Sequence, residues 1–306
     1  MTLDCHIDIP WILTKKGPFK LNHNNEGDWS AVDFPRMRKG GLNSAFFALY
    51  LSPNYTFGLN QASMIRLLRS QVTNLLTQDG CFLVSSAGQA RQVVASDRIA
   101  IFLGLENGRY VDNLDRLTTF RNWGVRYLTF THNENNHLGN SATAPFKLHK
   151  GGLSIFGLEV LKRCNELGII PDVSHAAPDT AEAIIEGSEK PVIASHSGCN
   201  KVFNHSRNLS DIEIKTIAKT GGVVHICFVD KFLGATSIFD HIDHAVQLVG
   251  PDHVGIGSDL DGATTKLRAS DVANWSTVVK DTLSKKGYSD EHIDKIAGEN
   301  TLRLLD

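Results

Sequence analysis

An excess of charge of one sign is missing from this sequence: 31 lysines and arginines stand against 33 aspartates and glutamates, a formal net charge of -2. Without a long run of one sign there is no basic footprint for nucleic acid or an anionic membrane surface, so neither is an expected partner. Apolar runs are short as well, and none reaches the roughly 18 residues that a membrane-crossing helix needs. The opening Met1-Thr2-Leu3-Asp4 lacks the basic and apolar regions of a secretory signal, and these absences together lead to an expected cytoplasmic location. Cysteine is sparse: Cys5, Cys81, Cys164, Cys199 and Cys227 are odd in number and show no C-x-x-C spacing. That argues against a disulfide framework and against a thiolate zinc site. The remaining composition, 42% hydrophobic and 21% charged, is that of a folded chain with a sizeable core and a small molecule as its default partner.

What the sequence does contain is a repeated alternation of short strand-like runs with segments of helical spacing. Eight runs read as strands: Leu3 to Ile9, Ser44 to Leu51, Ile99 to Leu105, Val125 to Thr131, Ile169 to Ser174, Pro191 to Ser195, Gly222 to Val229 and His253 to Ser258. Helices are expected between them, among others over Gln61 to Gln78, Leu153 to Leu167, Ala177 to Glu186, Ser210 to Thr220 and Ile238 to Val249. Gly168, Gly221 and Gly250 provide stop signals for three of these. Eight near-continuous apolar strands fit a (β/α)8 TIM barrel of the metal-dependent hydrolase type, with residues 1–306 as one domain, better than a doubly wound open sheet. The Asn- and His-rich segment Asn133 to Lys150 follows the fourth strand and reads as an active-site wall.

The polar residues fall in a pattern that the barrel would make meaningful. Each of several strands ends, on its C-terminal side, in a group able to bind a metal or move a proton: His6 and Asp8, then Glu106, His132, His175, His196 and Asp259. Barrel enzymes carry their chemistry at that rim. His6 and Asp8 are two apart, so on a strand both face the same way and can grip one ion. Glu106 lies between Gly104 and Gly108, where a sharp backbone turn is expected. His175 and His196 follow buried apolar strands. Five N/O ligands without cysteine suit two ions bridged by Glu106 and a water, with zinc the best match and manganese or cobalt accommodated. Asp259 could serve as a ligand, a proton shuttle or a turn residue, and with five ligands supplied the shuttle is its best use. Asp261 reads as structural. Arg207, in the loop after the sixth strand, has the geometry to hold a carboxylate by a two-pronged contact. His225 reads as packed in the barrel or its wall, while His205 and four other histidines have no spacing to recommend them.

These stretches resemble the membrane (renal) dipeptidase family of metallopeptidases. The matching runs are Asp4-Cys-His-Ile-Asp-Ile-Pro-Trp11, Gly104-Leu-Glu106, Tyr127 to His132, Asp172-Val-Ser-His175, Pro191 to Ser197, Arg207-Asn-Leu209, His253 to Gly262 and the tail Gly298 to Arg303. The resemblance implies a barrel with two zinc ions, the first on His6 and Asp8, the second on His175 and His196, both bridged by Glu106. It further implies that Asp259 handles the proton of the bridging water, that His132 contacts the scissile carbonyl and that Arg207 binds the substrate's terminal carboxylate. The expected reaction is hydrolysis of a dipeptide by a metal-bridging hydroxide, with a D-residue accepted at the C-terminal position. A homodimer is the expected assembly, and the chain looks like a cytosolic, microbial-type member.

Four positions depart from the family pattern. Asn107 replaces a glycine common after the glutamate, Leu260 replaces a phenylalanine, and Cys227 and Val229 stand where many members carry Asn and Tyr beside the substrate pocket. They bear on specificity more than on catalysis. Two alternatives remain: an amidohydrolase acting on an N-acyl amino acid, β-lactam or lactone, and a non-catalytic member that binds a small peptide. Against the first, such enzymes commonly begin with His-x-His and use a bridging lysine, whereas this chain has His-x-Asp and ends its fourth strand in His132.

Overall fold

The structure is a computed structural model and describes residues 1–17, 19–25, 30–263, 267 and 270–306. Its sheet has nine parallel strands: β1 (Leu3–Ile7), β2 (Ser44–Leu49), β3 (Cys81–Leu83), β4 (Ile99–Glu106), β5 (Val125–Thr129), β6 (Ile170–Asp172), β7 (Ile193–Ser197), β8 (Val223–Ile226) and β9 (Val254–Ile256). Eight of them, all but β3, pair in the order β1-β2-β4-β5-β6-β7-β8-β9. The ends meet: Asp259 donates its backbone N–H to the His6 carbonyl and Asp8 donates to the Leu260 carbonyl, each at 3.0 Å. The chain thus folds as the expected (β/α)8 barrel.

The strands form where the apolar runs predict them, because they are buried on both faces; β1, β2 and β4 are buried along their whole length. While β4 and β7 run slightly past their expected ends, the other six of the eight stop two or three residues short of theirs. There the chain lifts out of the ladder to form the mouth. The ninth strand, β3, escapes the sequence reading because it is three residues long and only half-buried. It pairs with residues Ile99 to Ile101 of β4, leaving the upper part of that strand's edge, from Leu103 onward, to β5.

Leu3, Phe46, Phe102, Tyr127 and Ile193, from five different strands, meet in one apolar cluster with Leu302 and Leu305 of the C-terminal segment. Residues so far apart around a barrel can meet only in its interior, and this cluster forms the base on which the polar mouth rests. Two buried aspartates tie strands together just below that mouth. Asp4 accepts from the backbone N–H of His6 and Ser258 and from Trp275 Nε1. Asp172 accepts from the backbone N–H of Ser174 and Ser195 and from the hydroxyls of Thr129 and Ser195.

Candidate metal centre

All seven predicted rim residues reach one site. Oε1 of Glu106 lies 3.3 Å from His175 Nε2, 3.6 Å from both His6 Nε2 and His196 Nε2, and 3.7 Å from His132 Nε2. Asp8 Oδ2 is 3.3 Å from His6 Nε2. His6, Asp8 and Asp259 form a further group whose ligand atoms lie within 4.8 Å of one another.

Local backbone geometry aims these groups. His6 lies within β1 and Asp8 just beyond it, on the same face, while Glu106 closes β4 and His196 lies in β7. His175 and Asp259 follow their strands with φ of 67° and 64°. This left-handed conformation is unfavourable for non-glycine residues, and its use here is strain held at a functional site. The sharp turn expected at the glycines around Glu106 belongs instead to Asn107, with φ 89°. Neither Gly104 nor Gly108 has positive φ among the described residues. Both allow close approach: a Cβ at Gly104 would overlap the Tyr127 ring, and one at Gly108 would overlap Leu138 and the Phe130 carbonyl.

The hydrogen bonds on the far side of each imidazole decide what its near side offers. Ser195 Oγ donates its proton to Asp172, so at the 2.9 Å contact with His196 Nδ1 the imidazole must be the donor. Asn133 Oδ1, 3.1 Å from His175 Nδ1, is an acceptor only, so His175 also donates from Nδ1. Each ring is thereby left with a bare Nε2 lone pair, and the two Nε2 atoms are 2.9 Å apart beside the Glu106 carboxylate. Lone pairs converging on a carboxylate repel unless a cation lies among them. His6 faces the same carboxylate, with Tyr127 Oη 2.7 Å from Nδ1 and with both its Nε2 and Asp8 Oδ2 buried and unsatisfied.

Titration follows the same logic. Burial holds His175 and His196 well below the ordinary imidazole range. For His6, burial acts downward, but Glu106 and Asp8 outweigh it and raise the imidazole well above that range. Burial, then the Asp8 carboxylate, push Asp259 well up. The donor set of imidazoles and carboxylates fits a divalent first-row ion.

Residues 1–306 match the family model for membrane dipeptidase, peptidase family M19. The chain belongs to that family. It is a metallo-dipeptidase, a hydrolase acting on peptide bonds. Dipeptidase verJ of Clonostachys rogersoniana is 30% identical over 324 residues, covering 99% of this chain and 83% of that protein. Uncharacterized dipeptidase C965.12 of Schizosaccharomyces pombe is 29% identical, covering 99% of this chain and 79% of that protein. The crystal structure of a metallo peptidase from Rhodobacter sphaeroides, liganded with a phosphinate mimic of the dipeptide L-Ala-D-Ala, has a TM-score of 0.88 at 25% identity. That likeness covers 99% of this chain and 98% of the other.

Above these imidazoles and carboxylates of this family member lies a cavity of about 880 Å³. Asn133 and Thr143 line it, so the segment Asn133 to Lys150 does form an active-site wall. Ser141 of that wall donates to the His132 carbonyl at 2.5 Å, and Tyr50 packs on the His132 ring at 4.7 Å between centroids. Burial, then nearby Arg207, push His132 down to about 3, so its imidazole is neutral near pH 7. Arg207 is buried and lies over the Phe232 ring at 5.1 Å. One of its nitrogens reaches the His196 carbonyl and its Nε has no partner among the described residues.

Several residues of the cavity carry no spacing signal in the sequence. His205, set aside on spacing, lines the cavity, and its neighbour Arg207 was the available signal. Trp11, Tyr50, Tyr55 and Phe232 also line it, without any periodicity that marks them. Val229 borders the cavity as expected, whereas Cys227 is buried and absent from the described lining. Asp261 is structural, accepting from Ser30 Oγ and the Ala31 N–H.

Proposed function

We propose that the chain is a dinuclear zinc dipeptidase, with His6 and Asp8 on one ion, His175 and His196 on the other, and Glu106 between them. The observation that carries this reading is the convergence of three imidazole Nε2 atoms on Glu106 Oε1 at 3.3 to 3.6 Å. Bound there, two zinc ions would supply an activated water and polarise the scissile carbonyl; manganese or cobalt would suit the same donors. Asp259 accepts the water's proton on its carboxylate and returns it to the leaving amine. Neutral His132 donates a hydrogen bond to the carbonyl oxygen as negative charge develops on it. Arg207, buried without an acidic partner of its own among the described residues, receives the substrate's terminal carboxylate in a two-pronged contact. The mimic of L-Ala-D-Ala held by the Rhodobacter sphaeroides relative supports acceptance of a D-residue at the C-terminal position.

Metal analysis followed by a dipeptide panel containing L,L and L,D isomers tests this directly. Two zinc ions per chain and release of free amino acids are expected; retained metal with no hydrolysis across the panel would leave only a binding role. Asp259→Asn is expected to keep its metal and lose most turnover, by about 100-fold or more. Arg207→Ala should raise KM for dipeptides with a free carboxylate and leave carboxyl-blocked substrates unaffected, as loss of a binding contact does. We further propose a single hydrolase domain over residues 1–306, acting as a homodimer in the cytoplasm. Five unpaired, mostly buried cysteines support a reducing compartment. No helix of the described residues is long and apolar enough to cross a membrane.

A further inference from the structure

Charge is unevenly distributed over the cavity. Its acidic groups, Asp8, Glu106 and Asp259, lie on the floor among the histidines, where bound cations would neutralise them. The charged groups higher on the walls are Lys15, Arg207 and Lys231, all positive, and no aspartate or glutamate lines those walls among the described residues. Both lysines are exposed, and neither has an ion-pair partner among the described residues. Unanswered like charges around one opening attract an anion and repel a second cation.

A simple dipeptide answers only one of these charges, because its single carboxylate goes to Arg207. The position of Lys231 indicates where another anion would fall. Lys231 immediately precedes Phe232, whose ring carries the Arg207 guanidinium at 5.1 Å and packs against His205 at 4.9 Å. Lys231, Phe232, His205 and Arg207 all line the cavity, and burial and then the Lys231 charge hold the His205 imidazole below its ordinary range. Lys15 belongs to a different wall, one helical turn beyond Trp11 on the helix Ile9–Lys16.

Resting on the dipeptidase reading above, we propose that Lys231 selects substrates whose C-terminal residue carries an acidic side chain. The carboxylate of an aspartyl or glutamyl residue pairs with the Lys231 ammonium while the α-carboxylate of the same residue is held by Arg207.

The test uses the metal-loaded enzyme and substrate pairs that differ in charge but hardly in shape: Ala-Asp against Ala-Asn, and Ala-Glu against Ala-Gln, with the C-terminal residue in each stereochemistry. The expected kcat/KM ratio favours the acid by about tenfold, mainly through KM, and shrinks with added salt. Lys231→Gln should bring the ratio near one and Lys231→Glu should reverse it, whereas Lys15→Gln should leave it in place. Metal content and circular dichroism verify that each variant is folded. A wild-type ratio near one, with the neutral dipeptides cleaved, overturns this inference alone. So does a ratio that survives Lys231→Gln or that falls equally in Lys15→Gln. Failure to cleave any dipeptide overturns the underlying reading and this inference with it.

Discussion

Tyr127 shows how much of a metal site depends on residues that never touch the ion. Its hydroxyl lies 2.7 Å from His6 Nδ1, and the ring reaches that position because Gly104 has no side chain to block it. Holding Nδ1 fixes the orientation of the imidazole and so aims Nε2 at the carboxylates. Tyr127→Phe is therefore expected to weaken metal affinity by about 10- to 100-fold, measured by competition with a calibrated chelator; an affinity equal to wild type would remove Tyr127 from this role. Asn107 accounts for one departure from the family pattern. Its φ of 89° is a conformation suited to glycine, and its side chain offsets part of the strain by accepting from the Arg109 N–H and from Asn136 Nδ2.

At the level of elements, the loop that carries Arg207 is anchored at both ends. Leu209 donates to the Gly198 carbonyl and Asn200 to the Leu209 carbonyl, at 2.9 and 2.8 Å. Immediately after it, the helix Asp211–Lys219 begins with a reciprocal cap: Ser210 Oγ accepts from the Glu213 N–H while Glu213 accepts from the Ser210 N–H. Ile214 and Ile217 then bury its apolar face. Ser210→Ala should cost about 1 kcal/mol of stability, read as a lower urea midpoint with unchanged slope. Dipeptide kcat/KM should stay at the wild-type value, since the backbone bonds at Gly198 and Asn200 still hold the loop. The helix Ile238–Val249 has a similar cap, in which Asp240 plays the part of Glu213.

For the whole molecule, acid sensitivity is set partly by a histidine remote from the chemistry. His225 in β8 is fully buried; its Nδ1 lies 2.8 Å from the Ala194 carbonyl and its Nε2 2.9 Å from Thr301 Oγ1. Burial pushes its imidazole down from 6.5 to about 4 despite the favourable carbonyl contact. The unfolded chain therefore takes up this proton first. The stabilisation is complete above pH 6.5 and is lost as pH falls toward 4, a loss of about 3 kcal/mol. His225→Phe should be less stable at pH 7 and show a flatter decline over that window in urea titrations; parallel declines would refute the assignment. Much of this molecule was legible in advance. The apolar runs specified the strands and hence the barrel, and once strand ends are known, His6, Asp8, Glu106, His132, His175, His196 and Asp259 must share one rim. Those facts depend on local periodicity and on a topology that brings all strand ends to one side. Only tertiary structure decided that Asn107 makes the turn, that Ser195 and Asp172 set the His196 tautomer, and that His205 and Lys231 stand on the cavity wall. Each of those depends on contacts between residues distant in sequence or on loop conformation, and no spacing along the chain encodes either.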